Sequence, residues 1–132
     1  MRKPFSFENL FVYDLANNHQ GDFAHARNIV AAVGKVNREG KINGALKFQF
    51  RQLDSFIHPD FKGRADHKYV KRFSETRLEM TDFAKLAEHV RAEGLHTMCT
   101  PFDEESVDMI NDLGIEVVKI GSCSAKDWPL IE

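Results

Sequence analysis

The sequence is poor in cysteine and has no run of basic residues, and each shortage excludes a class of protein. Cys99 and Cys123 are the only cysteines, and their spacing matches no metal-binding pattern. We expect both to be buried thiols in a reducing compartment, not a disulfide. The 18 lysines and arginines are dispersed among 20 acidic residues, which gives a net charge of -2 and no nucleic-acid-binding surface.

Long apolar segments are also missing. No stretch approaches the roughly 20 apolar residues that span a bilayer, and the start, MRKPFSFEN, lacks the apolar core of a signal peptide. We therefore expect a cytoplasmic protein with no membrane segment. No internal repeat is visible, and 132 residues suffice for one domain with a hydrophobic core.

What the sequence does contain is a regular alternation of strand and helix patterns. Four short apolar runs predict strands at Leu10–Ala16, Ala45–Phe50, His96–Thr100 and Val117–Ile120. Apolar residues at helical spacing predict helices from Asp22 to about Asn37, over His67–Leu78, from Thr81 to Gly94, from Asp103 to Gly114, and from Asp127 onward. The polar segment from Arg51 to about Asp66 is predicted to be a long loop.

This order of elements predicts an α/β protein with a parallel sheet. The first run is nearly all apolar, so we expect that strand to be covered on both faces. The third strand should stop before Pro101, because proline cannot continue a strand ladder. Two architectures fit this order of elements: an open doubly wound sheet, or part of a (β/α)8 TIM barrel. A barrel needs about 250 residues, so the chain would supply about half of one.

Polar residues gather where the predicted strands end. They are Asp14 in the first strand, Lys47 and Gln49 in the second, Thr100 in the third, and Lys119 and Ser122 in or after the fourth. In parallel α/β folds this edge of the sheet binds ligands. A lysine in a buried strand is costly unless an anion meets it. Lys47 and Lys119 together therefore indicate a site for phosphate and carboxylate groups.

Each of these residues also has a structural interpretation. Either lysine alone could extend its stem along apolar surface to reach water. Asp14 could cap the loop after its strand, His19 could be a structural histidine of that loop, and the neighbouring asparagines could serve a tight turn. The residues alone do not decide between these alternatives.

Five motifs lie in the same order and at similar spacing in a known family. They are YDLANNHQGD, ALKFQF, CTPFDEESVD, DLGIEVVKIGS and the terminal DWPLIE. With them the chain, from about residue 10 to the end, resembles the N-terminal barrel of the sialic acid synthase family. The resemblance implies condensation of phosphoenolpyruvate with an N-acyl sugar to give a nonulosonic acid. It also implies that residues 1–132 are the N-terminal half of a (β/α)8 TIM barrel, in a fragment of a longer chain.

The resemblance further implies roles for eight residues. Lys47, Thr100, Lys119 and Ser122 would hold the phosphate and carboxylate of phosphoenolpyruvate, Gln49 would face the sugar, Asp14 would lie near the reacting groups, and Asn18 and His19 would belong to the adjoining substrate loop. Asp14, Lys47 and Lys119 are the expected catalytic residues. The family uses a divalent metal, manganese or magnesium, whose ligands we expect outside this chain. A homodimer is expected for the full-length protein.

Two positions depart from the family pattern. Asp14 stands where the family has a glutamate, so its carboxylate is one methylene shorter. Ser124 stands where the family has a glutamate that assists proton movement, and a serine hydroxyl has no pKa near neutrality. Two alternatives accompany the synthase hypothesis. One is a non-catalytic binding or structural half-barrel module, suggested by Ser124 and by the missing half of the barrel. The other is a Schiff-base aldolase that uses Lys47 or Lys119.

Overall fold

A computed structural model of the chain describes residues 4–132. The strands are β1 (Leu10–Asp14), β2 (Asn43–Phe50), β3 (His96–Pro101) and β4 (Val117–Val118). The α-helices are α1 (Phe23–Glu39), α2 (Leu53–Phe56), α3 (Lys68–Glu75), α4 (Met80–Ala92), α5 (Glu104–Asp112) and α6 (Trp128–Ile131). Short 3-10 turns cover Pro59–Phe61 and Ser122–Ser124.

Over these residues the strands form one parallel sheet in the order β1-β2-β3-β4. The predicted α/β class and the parallel pairing are thereby confirmed. An open doubly wound sheet reverses its strand order at the point where it binds ligands. Neighbours in this sheet are also neighbours in sequence, so the described strands contain no such reversal.

Three strand ends differ from the prediction. β1 ends at Asp14, because Ala16 has a φ of 46° and leaves the extended region. β3 includes Pro101, which pairs with Phe50 as the last residue of its strand. The run predicted as far as Ile120 forms a ladder only over Val117–Val118, although one further bond joins the Lys119 N–H to the Cys99 carbonyl at 2.8 Å.

The helix α1 follows its sequence signals closely. The Asp22 carboxylate accepts a hydrogen bond from the His25 N–H at 2.9 Å, so it caps the helix at the residue where the helix was expected to begin. The helix α4 begins two residues earlier than expected, since Glu79 and not Thr81 occupies the N-cap position. The Glu79 carbonyl accepts from the Phe83 N–H at 3.1 Å, which makes it the first acceptor of the helix.

The main core lies between one face of the sheet and the helices α1 and α4. Its buried side chains include Leu46, Phe48 and Phe50 of β2, Ala26 and Val30 of α1, and Phe83, Leu86 and Val90 of α4. The Phe83 ring meets Phe50 edge-on, with the ring centroids 4.3 Å apart. Burial of each large side chain stabilises the fold by about 1.5–3 kcal/mol. This core fixes the position of β2 in the middle of the sheet.

The opposite face of the sheet is apolar at the start of the strands and polar at their ends. Ala45, Met98 and Val117 form a small buried cluster, against which Phe5 packs. The Asn43 amide donates to the carbonyls of Ser6 and Glu8, each at 3.0 Å. The segment before β1 therefore covers the amino ends of the strands, and the carboxyl ends carry the candidate site.

The expectation that β1 is covered on both faces is wrong for the part of the chain that the structure describes. Phe11 is 54% exposed and Val12 is 38% exposed. At the other edge, Val118 and Ile120 are exposed as well. Within residues 4–132, no helix is long and apolar enough to cross a membrane.

The segment predicted as a long loop contains the short helix α2 and a 3-10 turn. The Asp103 carboxylate anchors it by accepting from the Gln52 N–H at 2.8 Å, and Leu53, Ile57 and Val70 pack together beneath it. The helix α3 lies inside the predicted range. Both cysteines are free, but only Cys99 is buried, so the expectation of a buried thiol fails at the exposed Cys123.

Candidate functional site

Four of the expected site residues lie at the carboxyl ends of the neighbouring strands β1, β2 and β3. The register aligns Asp14 of β1 with Lys47 of β2, and Gln49 of β2 with Thr100 of β3. Residues that pair in register point to the same face of a sheet, as do residues two apart on one strand. The four side chains therefore share the polar face.

Lys47 is buried and forms an ion pair with Asp14. The distance from Lys47 Nζ to Asp14 Oδ2 is 2.8 Å, and the two side chains are 9% and 51% exposed. The lysine thus does not extend freely to water, which was its structural alternative. Its charge is balanced by a carboxylate that lies at the boundary with solvent, where a ligand can reach the pair.

The residues expected from β3 and β4 divide into buried and exposed ones. Thr100 is buried, and its Oγ1 has no hydrogen-bond partner within the described chain. Lys119 and Ser122 are exposed, so the expectation of a second buried strand lysine is wrong. The cause is the short ladder of β4, which ends at Val118 and has no flanking strand among residues 4–132.

Ser124 lies in the 3-10 turn Ser122–Ser124, which follows β4. Its side chain is buried, and its Oγ is 3.9 Å from the Cys123 Sγ. Gly121 lies at the start of that turn and packs against β3. A Cβ at Gly121 would lie 3.5 Å from the Thr100 Cγ2, so the turn sits beside the buried threonine.

The loop after β1 is held against the connection that follows α3. Gly21 has a φ of +75°, and a Cβ there would lie 3.0 Å from the Glu75 carbonyl oxygen and 3.1 Å from that of Arg77. Glycine is required both by the left-handed backbone and by this close approach. Gly21 thus allows the loop to pack closely against the backbone of Glu75 and Arg77.

His19 is the most buried residue of this loop. It is 1% exposed, and its ring contacts Phe83 edge-on with centroids 5.9 Å apart. Burial, and then the charge of His25, lower the pKa of His19. Its Nδ1 accepts from the Gly21 N–H at 3.1 Å, so the neutral ring carries its proton on Nε2, an atom without an acceptor in the described chain. Asn18 is exposed.

Arg51 was not singled out from the sequence. It continues the alternation of Lys47 and Gln49, and this spacing of two residues was the signal that could have found it. Its guanidinium lies between the rings of Phe73 and Phe102, 4.3 and 3.8 Å from their centroids. Burial lowers the pKa of Arg51, but arginine stays protonated at neutral pH. The planar group is thus held rigidly at the end of β2.

Arg51 also orients Gln49. Both terminal nitrogens of the guanidinium donate to Gln49 Oε1, at 3.3 and 3.4 Å, which leaves the Gln49 amide nitrogen as a donor. A recess of about 40 Å³ lies between the loop after β1 and the connection after α3, room for about three water molecules. Its polar lining comes from Asn17, His19, Gln49, Arg51, Thr76 and Arg77.

The described residues do not form a metal centre by themselves. Over residues 4–132, no group of three or more histidine, cysteine, aspartate or glutamate side chains is placed to hold an ion. Asp14, the carboxylate expected near the reacting groups, already contacts Lys47 through its Oδ2. One carboxylate that is already paired does not make a metal site.

The chain is therefore an α/β protein. The carboxyl edge of its parallel sheet carries cationic and hydroxyl side chains, which form a candidate anion site. The sequence profile of the NeuB family matches residues 40–132, and the chain belongs to this family. The predicted relationship to sialic acid synthases is thereby confirmed, because relatives named as such synthases share the similarity.

Three relatives illustrate the relationship. The chain is 29% identical to an N,N'-diacetyllegionaminic acid synthase of Legionella pneumophila, with 86% of this chain and 36% of that protein covered. A solved protein of Chromobacterium violaceum, named for spore coat polysaccharide biosynthesis (protein E), is 48% identical with a TM-score of 0.89, over 93% of this chain and 37% of the other.

The third relative shows the fold alone. It is an N-acetylneuraminic acid synthetase of Leptospira borgpetersenii, 23% identical with a TM-score of 0.74, over 93% of this chain and 39% of that one. The chain spans a little over a third of the length of each of these relatives.

Proposed function

We propose that the protein carrying this chain condenses phosphoenolpyruvate with an N-acyl sugar, and that this chain supplies the N-terminal half of a (β/α)8 barrel. The observation that carries the proposal is the buried Lys47 ammonium, paired with Asp14 at the ligand-binding edge of the sheet. Two further facts support the half-barrel: neighbouring strands follow one another in sequence, and both outer strands expose apolar side chains.

In this reaction the methylene carbon of phosphoenolpyruvate forms a bond to the aldehyde carbon of the sugar. The aldehyde oxygen takes up a proton, water adds at C2 of the former enol, and the C2–O bond to phosphate breaks. Phosphoenolpyruvate, sugar and water thus give a nonulosonic acid and inorganic phosphate, with no oxidant or reductant. The chain needs groups that hold two anionic ends of one substrate and orient it.

Lys47, Thr100, Lys119 and Ser122 are assigned to the phosphate and carboxylate of phosphoenolpyruvate. The Thr100 hydroxyl suits this role because it is buried with no protein partner in the described chain. The exposed Lys119 can move to meet an anion, whereas Lys47 is fixed by Asp14. Gln49 is assigned to the sugar, with Asn18 and His19 in the adjoining loop.

A bound manganese or magnesium ion would supply Lewis-acid polarisation of the aldehyde oxygen. The described residues do not fit such an ion by themselves, so its ligands are assigned to parts of the protein outside this chain. Asp14 is assigned to orient Lys47, through their ion pair, beside the reacting groups. A homodimer of the longer protein remains a prediction.

The test is phosphoenolpyruvate binding by calorimetry, in the longest natural protein that contains this chain. Lys47→Ala and Lys119→Ala are each expected to weaken binding by about tenfold or more, the value of one charge-assisted hydrogen bond. Lys35→Ala is the control, because Lys35 is exposed on α1 and pairs there with Glu39 at 3.9 Å. Unchanged affinity in both site variants would overturn the assignment of the anion site.

A second candidate function is a binding module without catalysis. The observation that favours it is the buried Ser124 hydroxyl at the position of a family glutamate. Release of inorganic phosphate from phosphoenolpyruvate, dependent on an N-acyl sugar, would exclude this candidate. The aldolase alternative finds less support, because the Lys47 amine is already engaged by Asp14; borohydride trapping with a keto acid tests it at both lysines.

A further inference from the structure

We propose that the recess lined by His19, Gln49 and Arg51 binds an anionic group, a carboxylate or a phosphate, carried by the acceptor sugar. This inference rests on the proposed synthase function and specifies its substrate class. It makes Arg51 a specificity-determining residue.

The first support is the charge of Arg51. Its guanidinium is largely buried between the Phe73 and Phe102 rings, and within the described chain no carboxylate lies at ion-pair distance from it. Asp103, the one carboxylate of the described residues whose charge is seen to act on Arg51, already accepts from the N–H groups of Gln52 and Ser106, each at 2.8 Å. Burial of a charge is costly without a counter-ion, and arginine cannot relieve the cost by losing its proton.

The second support is the hydrogen-bonding character of the recess. Arg51 Nε and His19 Nε2 are both buried and have no acceptor among the described residues. Gln49 gives its oxygen to Arg51 and keeps its amide nitrogen as a donor. Three donors from three side chains suit a group that only accepts, and ionised carboxylate and phosphate oxygens are such groups.

The other arginine of the recess adds little net charge. Arg77 pairs with Asp54 and with Glu79, each at 3.3 Å. Arg51 therefore provides most of the electrostatic attraction for an anion in the recess. A single fixed guanidinium matches one anionic group on a ligand.

The recess is separate from the residues assigned to phosphoenolpyruvate. Lys47, Thr100, Lys119 and Ser122 do not line it, whereas Gln49, which is assigned to the sugar, does. A ligand held by Gln49 at the polar face can thus place an anionic substituent against Arg51. The acceptor sugar, and not phosphoenolpyruvate, is therefore the substrate that would lie next to Arg51.

The test is calorimetric binding of three probes to the longest natural protein that contains this chain. The probes are N-acetylmannosamine, its 6-phosphate and its 6-carboxylate, titrated with phosphoenolpyruvate saturating and the metal chelated so that no turnover occurs. At least one anionic probe is expected to bind about tenfold more tightly than the neutral sugar. The phosphate and carboxylate probes distinguish the two kinds of anion.

Arg51→Gln is expected to abolish this preference while the affinity for phosphoenolpyruvate stays unchanged. Arg72→Gln is the matched control, since Arg72 is a nearby exposed arginine that does not line the recess. Arg51→Lys keeps the charge and the stem if the glutamine variant fails to fold. It should weaken the preferred anionic probe and leave the neutral sugar unaffected.

Equal binding of all three probes to the unaltered protein would overturn the inference. So would a loss of phosphoenolpyruvate affinity in Arg51→Gln with the sugar preference retained, because Arg51 would then serve the other substrate. Failure of the proposed function gives a different result: phosphoenolpyruvate itself does not bind, or it binds equally well to both Lys47→Ala and Lys119→Ala.

Discussion

Lys47 and Asp14 form one ion pair, but substitution of each partner is expected to cost a different amount of stability. Asp14→Asn would leave a nearly buried ammonium without its counter-ion, and we expect a loss of about 1–3 kcal/mol in the free energy of unfolding. Lys47→Met would leave a half-exposed carboxylate that water can solvate, and we expect a loss within about 1 kcal/mol. Urea denaturation of the natural protein measures both.

The exposed pair of Lys35 and Glu39 on α1 provides the control. Its atoms are 3.9 Å apart and both side chains are exposed, so Lys35→Met and Glu39→Gln should each change stability by about 0.5 kcal/mol or less. A Lys47→Met variant that loses as much stability as Asp14→Asn would contradict the burial argument. The lysine would then contribute through packing as much as through charge.

The second prediction at this scale concerns pH and His19. Because burial lowers the pKa of His19 below the 6.5 of an unfolded chain, the unfolded state binds more protons between the two pKa values. The free energy of unfolding therefore rises with pH across that window and falls on acidification from about pH 7 to about pH 5. His19→Gln should reduce this dependence, as measured by urea denaturation at both pH values.

His25→Gln is the matched control for this measurement. The charge of His25 is only the second cause of the shift, after burial. Most of the pH dependence attributed to His19 should therefore remain in this variant. If stability rose on acidification, or if His19→Gln left the dependence unchanged, the buried neutral histidine would be refuted.

Among the connecting elements, the loop after β1 gives a clean comparison. Gly21 and Gly63 have φ values of +75° and +73°, but a Cβ at Gly21 would meet two backbone oxygens, whereas one at Gly63 would meet nothing within 4 Å. Gly63→Ala should cost about 1–2 kcal/mol from the left-handed backbone alone. Gly21→Ala should cost about 1–3 kcal/mol more from the steric overlap.

The comparison is made by thermal and urea denaturation of both variants. The two substitutions share the backbone strain, so their difference isolates the contact between the loop and the connection after α3. Equal losses would mean that the connection moves away from the loop at little cost. The backbone beside the His19 recess would then be able to shift at little energetic cost.

The elements that the sequence predicts well are those with signals inside their own residues. The cap at Asp22, the periodic apolar residues of α4 and the left-handed Gly94 and Gly114 all mark helices that the structure contains. The helix α2 has four residues, too few to show a periodicity, so its segment was predicted as a loop. Its anchor, Asp103, lies about 50 residues away in sequence, in contact only after folding.

The candidate site was predictable to a similar extent. Alternation along β2 placed Lys47 and Gln49 on one face, but the partner of Lys47 depends on the register of β1, which periodicity does not give. The strand pattern does not reveal Arg51, because it ends at Phe50. The exposure of Lys119 could not be read from its apolar neighbours, because burial there depends on what lies beyond β4.

At the scale of the whole molecule, the sheet has two outer strands that expose apolar side chains. They include Phe11 and Val12 on β1, and Val118 and Ile120 on or beside β4. Natural proteins cover or charge such edges, because unpaired strands associate with other chains. The chain spans a little over a third of the length of its relatives, and the proposed barrel would place further strands against both edges.

We therefore predict that a protein made of residues 1–132 alone self-associates through these edges. Sedimentation velocity should detect dimers or larger species at concentrations of tens of micromolar, and substitution of both Val118 and Ile120 by lysine should reduce them. Val36→Lys is the control, since Val36 is 54% exposed but belongs to the helix α1 and not to an outer strand. A monomeric, cooperatively folded chain would show that the four strands need no cover and would remove this support for the half-barrel. Equal effects of Val36→Lys and the edge substitutions would attribute the association to general apolar exposure and not to strand pairing.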